Sequence, residues 1–169
     1  MPVVRHPDGE IYYELLGTGV PILFLLPQSV GLNGTKVLVN SLSKKFSIIL
    51  FDQLGTGRSV ANSDKYSPSI SDRMTEISCL LDHLDIEASH LFCHSTGCGL
   101  GISWASSQPP RVKTLTLVNP WSYADEQLTT LQRLRIDAAK QLSPYSYTHF
   151  NSTILFLSLI HISEPTRQA

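Results

Sequence analysis

The residues best suited to chemistry in this sequence lie in the stretch Leu-Phe-Cys-His-Ser-Thr-Gly-Cys-Gly at positions 91–99. An apolar run ends there in a turn of small residues, and an apolar segment with helical spacing follows. A sharp strand-to-helix turn lifts its central side chain above a sheet, provided that the residues two before and two after it are small. Ser95 occupies the centre, Gly97 the second small position, and Cys93 the first, where a glycine is usual. Because cysteine is also small and often buried, the pattern predicts that Ser95 is a nucleophile for acyl transfer.

A serine hydroxyl is a poor nucleophile until a histidine accepts its proton and an acid orients that histidine. No neighbour of Ser95 fills these roles well. His94 is adjacent on the sharp turn and points in another direction, so we expect it to be a packed, hydrogen-bonded histidine, and His90 lies at the opposite end of the strand. Asp52 is a tempting acid, but in a glycine-rich loop its carboxylate more simply accepts hydrogen bonds from local amides.

The segments around this stretch alternate between strand and helix patterns. Apolar or alternating runs predict strands at residues 10–16, 20–26, 46–50, 88–94 and 111–118. Helical spacing predicts helices at residues 35–44, 71–84 and 97–106. Asp8 and Gly9 predict a hairpin turn before the first of these strands. The alternation predicts an α/β fold, a mostly parallel sheet with helices on both faces.

Three pieces of the sequence, in this order, resemble the α/β-hydrolase family. They are the loop D-x-x-G-x-G-x-S at 52–59, the turn around Ser95, and the strand end Leu-Val-Asn-Pro at 117–120. The resemblance extends over residues 11–156 and implies an α/β-hydrolase fold, here incomplete, and a serine hydrolase activity. It also implies an oxyanion hole formed by the backbone amides of Thr96 and Ser29. In this chain Pro27 and Gln28 stand where the family usually has a His-Gly pair.

The same resemblance implies hydrolysis of a small ester, lactone, amide or C–C bond beside a carbonyl, through an acyl-enzyme on Ser95 that water resolves. The loop, the turn and the later Val-Asn-x-Trp at 118–121 are similar to enol-lactonase and aminoacrylate-hydrolase-like members. A non-catalytic binding module on the same scaffold is the alternative, since fold alone does not determine function. Dinucleotide binding fits poorly, because Ile102 stands where G-x-G-x-x-G requires its third glycine.

Residues 1–120 are interpreted as the N-terminal part of the hydrolase core, and residues 121–156 as the start of a helical lid. The lid interpretation rests on a helical stripe that follows Ser122 and Asp125, which together resemble a capping box, and that Pro144 ends. The apolar positions of the stripe are Leu128, Leu131, Leu134, Ala138 and Leu142. Packing in the core would explain this stripe equally well.

The last segment, residues 157–169, is interpreted as an artefactual tail, because residues 157–167 resemble the translation of an adapter used in preparing sequencing libraries. On this hypothesis the natural sequence stops near Phe156, and the alternative is a natural tail. The family's order of Ser, then Asp or Glu, then His implies that the acid and the base lie beyond that point, and His161 has no role. We therefore expect a truncated, inactive fragment with an unpaired sheet edge.

Composition restricts the function classes further. The 169 residues are 42% hydrophobic and 16% charged with a net charge of -1, which is typical of a soluble globular domain. Lys and Arg are neither in excess nor clustered, which argues against a nucleic-acid or anionic-membrane partner. No apolar segment has the length of a membrane span or the position of a signal peptide. The predicted partner is a small-molecule substrate, and the oligomeric state is left open.

The cysteine content favours a reducing compartment and hence a cytoplasmic location, because Cys79, Cys93 and Cys98 form an odd set without disulfide-framework spacing. Cys93 and Cys98 are interpreted as small buried residues, because no second Cys/His pair has metal-ligand spacing. We expect neither a metal nor a cofactor.

Overall fold

A computed structural model describes residues 2–27, 35–63, 66–121 and 123–163 of the chain, with the backbone alone for residues 155–163. The chain divides into two compact units, Met1–Ser122 and Tyr123–Ala169. In the described residues, the first unit contains a sheet and its covering helices, and the second contains two helices.

The described residues of the first unit form a 7-stranded sheet. Its strands are β1 (Val3–His6), β2 (Gly9–Leu16), β3 (Val20–Leu25), β4 (Phe46–Phe51), β5 (Val60–Ala61), β6 (Ser89–His94) and β7 (Val112–Val118). Its helices are α1 (Lys36–Leu42), α2 (Ile70–His83) and α3 (Thr96–Ser107), followed by a short 3-10 helix (Pro109–Arg111). The helices of the second unit are α4 (Glu126–Gln141) and α5 (Pro144–Ser163).

The strand order is β1-β2-β4-β3-β6-β7, and β5 pairs with β2. β4, β3, β6 and β7 are parallel to one another, whereas β2 runs antiparallel to β1, β4 and β5. Leu25 pairs with Cys93, and His94 pairs with Val118, so the carboxyl ends of β3, β6 and β7 meet at one edge of the sheet. The predicted α/β class with a mostly parallel sheet is confirmed.

Helices cover both faces of the sheet because successive side chains of each strand point to opposite faces. On one face, Leu23, Ile49 and Leu91 pack in a cluster with residues of α2 and α3, including Trp104, which is 1% exposed. On the other face, a smaller cluster of Phe24, Ile48 and Leu50 surrounds Val39 of α1. Each fully buried side chain of this size contributes about 1.5–3 kcal/mol to folding. The two clusters thus pack against opposite faces of β3, β4 and β6 in the middle of the first unit.

The strands and helices predicted in the first unit agree with the structure to within a few residues, whereas β5 in the first unit and α5 in the second were not predicted. α2 begins earlier than predicted because Ser69 and Asp72 form a capping box. The Ser69 hydroxyl accepts a hydrogen bond from the Asp72 amide at 3.2 Å, and the Asp72 carboxylate accepts one from the Ser69 amide at 2.8 Å. These bonds from Ser69 hold the pKa of Asp72 below its ordinary value.

The second unit corrects one prediction about its helix ends and adds to another. Asp125 is itself the N-cap of α4 and accepts a hydrogen bond from the Leu128 amide at 2.7 Å, so it is not the third residue of a box begun by Ser122. Ser122 lies outside the described residues. Pro144 follows the end of α4 but also starts α5, at a helix position where a missing N–H leaves no hydrogen bond unmade.

The outer strand β7 pairs with β6, and no other described strand pairs with it. Within the described residues its far side therefore presents unpaired backbone groups, as the sequence led us to expect. None of the helices in the described part of the chain combines the length and apolar character needed to cross a membrane.

Candidate active site

Ser95 occupies a strained turn between β6, which ends at His94, and α3, which begins at Thr96. Its backbone has φ 52° and ψ -119°, a conformation that costs a residue other than glycine about 1–3 kcal/mol. The Ser95 amide donates to the Val118 carbonyl at 2.9 Å, and the Ser95 carbonyl accepts from the Cys98 amide at 2.9 Å. The Ser95 side chain makes no capping hydrogen bond to α3, so its hydroxyl does not stabilise the start of that helix.

The turn brings α3 very close to the strands, and small residues make this approach possible. A Cβ added at Gly97 would overlap the carbonyl oxygen of Leu25 in β3 and lie 2.6 Å from its carbonyl carbon. A Cβ added at Gly101 would overlap Sγ of Cys93. The thiol of Cys93, which stands where a glycine is usual, thus occupies space that Gly101 leaves on the facing helix.

The three thiols differ in their environment, which predicts different reactivity. Cys93 and Cys98 are buried, whereas Cys79 is half-buried. Burial raises the pKa of Cys79 and raises that of Cys93 further, to about 12, so the reactive thiolate of Cys93 is the scarcer of the two at ordinary pH. At a pH of about 8, we expect iodoacetamide to alkylate Cys79 first in the folded chain, and all three cysteines after unfolding. Peptide mass mapping measures this, and native labelling of Cys93 as fast as that of Cys79 would contradict it.

Comparison with known proteins decides the family. The sequence matches the family model described as alpha/beta hydrolase fold over residues 26–148. The chain belongs to this family. The resemblance predicted from the loop at 52–59, the turn around Ser95 and the strand end at 117–120 is therefore confirmed.

Several relatives of this hydrolase-fold chain carry the name carbamate hydrolase RutD. The protein of that name from Azorhizobium caulinodans is 30% identical over 156 residues, which cover 92% of this chain and 58% of that protein. The one from Serratia proteamaculans is 28% identical, over 86% of this chain and 56% of that protein. The chain thus spans a little over half the length of these relatives.

Solved structures agree on the fold. MGS-M2, an α/β hydrolase from a Medee basin deep-sea metagenome library, superposes with a TM-score of 0.82 and 19% identity, covering 99% of this chain and 63% of that one. At that identity the likeness shows the fold alone. Est816, described as an N-acyl homoserine lactone degrading enzyme, superposes with a TM-score of 0.62 and 27% identity, covering 69% of this chain and 44% of that one.

Of the three residues predicted for the site of this hydrolase fold, the structure places two side by side. Thr96 follows Ser95 directly as the first residue of α3, and it is exposed. The first amides of a helix lack intrahelical acceptors and carry the positive end of the helix dipole, so the Thr96 amide suits a developing negative charge. Ser29 lies outside the described residues.

The glycine-rich loop after β4 is held by its own acidic residue. The Asp52 carboxylate accepts hydrogen bonds from the Arg58 amide at 3.0 Å and from Nε of Arg58 at 3.5 Å. A Cβ at Gly57, which has φ 54°, would lie 2.5 Å from the Asp52 carboxyl carbon. The Ser59 hydroxyl donates to the Asp52 carbonyl and accepts from the Tyr12 amide at 2.8 Å. The prediction that Asp52 accepts hydrogen bonds from local amides is confirmed.

Glu76 of α2 also holds this loop in place, and the sequence-based predictions did not include this role. Its fully buried carboxylate accepts hydrogen bonds from the Leu54 amide at 3.1 Å, the Tyr66 hydroxyl at 3.3 Å and Nη1 of Arg73 at 2.6 Å. Burial raises the pKa of Glu76 although Arg73 opposes the shift. Burial and the charge of Glu76 raise the pKa of Tyr66 to about 12. A signal was present, since Glu76 precedes Leu80 by four residues and so shares its buried helix face.

The histidines near the turn do not serve Ser95 in the described residues. His94 is half-buried, and its imidazole makes no hydrogen bond to any described residue, so the expectation of a hydrogen-bonded histidine side chain is wrong there. Nδ1 of His90 lies 2.7 Å from Oγ1 of Thr114, at the amino end of β6. The part of the chain that the structure describes contains no group of three or more His, Cys, Asp or Glu that could hold a metal ion.

Proposed function

We propose that Ser95 is the nucleophile of a serine hydrolase that acts on small esters, lactones or amides, or on a C–C bond beside a carbonyl. The observation that carries this proposal is the left-handed backbone of Ser95, with φ 52°, at the start of a helix that its hydroxyl does not cap. Strain of this kind persists only where the surrounding structure enforces it, and it is typical of functional sites.

The proposed reaction gives a role to each group of the candidate site. The Ser95 hydroxyl loses its proton to a general base as its oxygen attacks the substrate carbonyl carbon. The amide of Thr96, with that of Ser29 assigned by the family resemblance, stabilises the negative charge that forms on the carbonyl oxygen. The leaving group departs, and water then hydrolyses the acyl group from Ser95.

The names of relatives support this substrate range. The protein named carbamate hydrolase from Azorhizobium caulinodans is 30% identical to this chain, and a carbamate is attacked at a carbonyl flanked by oxygen and nitrogen. Est816 is described as degrading a lactone and is 27% identical. We therefore include carbamates among the amide substrates and keep lactones in the proposed range.

We further propose that the 169-residue chain does not complete this reaction alone. In support, no described histidine or carboxylate is hydrogen-bonded to Ser95. The general base and the acid that orients it would correspond to the part of the relatives that the alignment does not reach, in the order typical of the family.

Three accompanying proposals concern organisation and location. Residues 1–120 would form the core, and residues 121–156 would form the start of a helical lid. The exposed apolar side chains of Leu134 and Ile136 in α4 support this division. The adapter-like sequence supports exclusion of residues 157–169 from the natural protein. Three free cysteines support a reducing compartment such as the cytoplasm.

The test is a chimera in which residues 1–148 are joined to the Azorhizobium relative from the residue that aligns with position 149 onward. We expect it to hydrolyse p-nitrophenyl acetate, and Ser95→Ala to reduce turnover by about a thousandfold or more. Ser106→Ala, at an exposed serine on α3, is the matched control and should leave turnover unchanged. The unmodified chain should show no hydrolysis that depends on Ser95.

Circular dichroism must show that the chimera and its Ser95→Ala variant are folded. A folded chimera whose turnover survives Ser95→Ala would overturn the assignment of the nucleophile. A folded chimera that binds an ester or a lactone without turnover would favour the non-catalytic binding module.

A further inference from the structure

The carbonyl group of Val118, the last residue of β7, is shared by two donors of the turn that contains Ser95. Val118 pairs with His94 in the parallel register of β6 and β7, so its carbonyl lies beside the turn. It accepts the Ser95 amide at 2.9 Å and the Cys98 thiol at a sulfur–oxygen distance of 3.4 Å. The position of this one oxygen therefore influences the backbone of Ser95 directly.

The Cys98 thiol also contacts the strand on the other side of the turn. Its sulfur lies 3.4 Å from the Cys93 carbonyl oxygen as well, and the side chain is 1% exposed. One S–H group is thus within reach of carbonyls at the ends of β6 and β7, on either side of Ser95. A thiol is a weak donor, but a methyl group in its place would donate to neither carbonyl.

Asn119 sets the direction of the chain immediately after the shared carbonyl. Its φ is 53°, in the left-handed region that asparagine tolerates better than most residues. Among the described residues, the others with positive φ that are not glycine are Ser95 and Asp85. Two of these three residues, Ser95 and Asn119, therefore lie next to the Val118 carbonyl. Ser95 donates its amide to this carbonyl, and Asn119 follows it in the chain.

We propose that Cys98 and Asn119 are positioning residues for Ser95 that act through the Val118 carbonyl. The functional meaning of this inference rests on the proposed role of Ser95 as nucleophile. A loosened turn would move the Ser95 hydroxyl, and it would also rotate the following amide of Thr96, because both depend on the Ser95 backbone angles. The geometric claim concerns the Ser95 amide and is testable without turnover.

The first test is amide hydrogen exchange, followed by NMR on the full chain. Cys98→Ala should raise the exchange rate of the Ser95 amide by about fivefold relative to that of Leu23 in β3. The reason is that the Cys98 thiol no longer donates to the Val118 carbonyl and so no longer helps to hold it in place. Cys98→Ser restores a donor and should restore the slower exchange. A second readout is the infrared S–H stretching band lost in Cys98→Ala, which should lie below that of Cys93 in frequency.

Exchange at Ser95 that stays unchanged in Cys98→Ala, or that rises by the same factor as at Leu23, would overturn the role of Cys98. An S–H band at or above the frequency of the Cys93 band would do the same.

Asn119 gives a second test that does not depend on how well Cys98→Ala folds. Asn119→Gly keeps the left-handed conformation accessible and should leave Ser95 exchange unchanged, whereas Asn119→Val disfavours it and should speed exchange several-fold. Asp85 has φ 54° in the turn after α2 and provides the matched control, since Asp85→Val should leave Ser95 exchange unchanged. Equal exchange in Asn119→Gly and Asn119→Val would overturn the role of Asn119.

The two proposals fail in different ways. Turnover of the chimera that survives Ser95→Ala would refute the nucleophile and leave the exchange results standing. Normal Ser95 exchange in the variants, together with a chimera that depends on Ser95, would refute the positioning role alone.

Discussion

Gly97→Ala is expected to lower the free energy of unfolding by about 3 kcal/mol, because the added methyl group has no space. It would overlap the carbonyl of Leu25, a backbone group of β3. β3 is hydrogen-bonded to β4 on one side and β6 on the other, so it cannot shift without disturbing the centre of the sheet. Urea unfolding followed by circular dichroism measures the change.

Two neighbouring glycines of α3 provide the controls. Apart from the chain next to Gly99 within α3, no atom of the described residues lies within 4 Å of a Cβ added there, so Gly99→Ala should stabilise the chain by about 0.5–1 kcal/mol through helix propensity. Gly101→Ala should destabilise it, and the additional change Cys93→Gly should recover part of the loss because it removes the overlapping sulfur. If Gly97→Ala proved as stable as Gly99→Ala, the close approach of α3 to β3 would be wrong.

Glu76→Ala is expected to lower the free energy of unfolding by about 3–5 kcal/mol, because it removes one partner of a buried ion pair. Arg73, whose side chain is 12% exposed, would lose its carboxylate, and the Leu54 amide and the Tyr66 hydroxyl would lose an acceptor. The measurement is again urea unfolding, at neutral pH.

The control for Glu76 is an ion pair on the surface. Arg58 and Glu14 are 2.8 Å apart, but their side chains are 44% and 31% exposed, so Glu14→Ala should cost less than about 1 kcal/mol. If Glu76→Ala and Glu14→Ala lowered the free energy of unfolding equally, the buried pair would stabilise the fold no more than the exposed pair does.

The pH dependence of the same site has a definite sign. Because burial raises the pKa of Glu76, the folded chain holds this proton more tightly than the unfolded chain does. The stability that Glu76 contributes is therefore greatest below its unfolded pKa of about 4.3 and falls as the pH rises through the raised value. Glu76→Gln does not titrate, so its stability relative to the parent chain should increase over that window, and a decrease would contradict the assignment.

Much of the fold could be predicted from short stretches of sequence. The strand predicted at residues 20–26 is β3 (Val20–Leu25), and the helix predicted at residues 71–84 is α2 (Ile70–His83). Strand and helix patterns repeat over two and about four residues, so they survive in a local window. Helix ends depend on single side chains such as Ser69 and Asp125, whose capping bonds a periodic pattern does not contain.

The turn at Ser95 was determined by the sequence itself, because its strand, its small residues and its helix are neighbours along the chain. Tertiary structure alone decided that Glu76 is buried beneath the loop at Leu54, since an Arg and a Glu three residues apart are usually a solvated pair on a helix surface. It also decided that the Val118 carbonyl accepts hydrogen bonds from both Ser95 and Cys98. The whole of α3 separates β6 from β7 in the chain, and the two strands become neighbours only in the folded sheet. Contacts between residues distant in sequence depend on which elements pack together, and no local pattern encodes that choice.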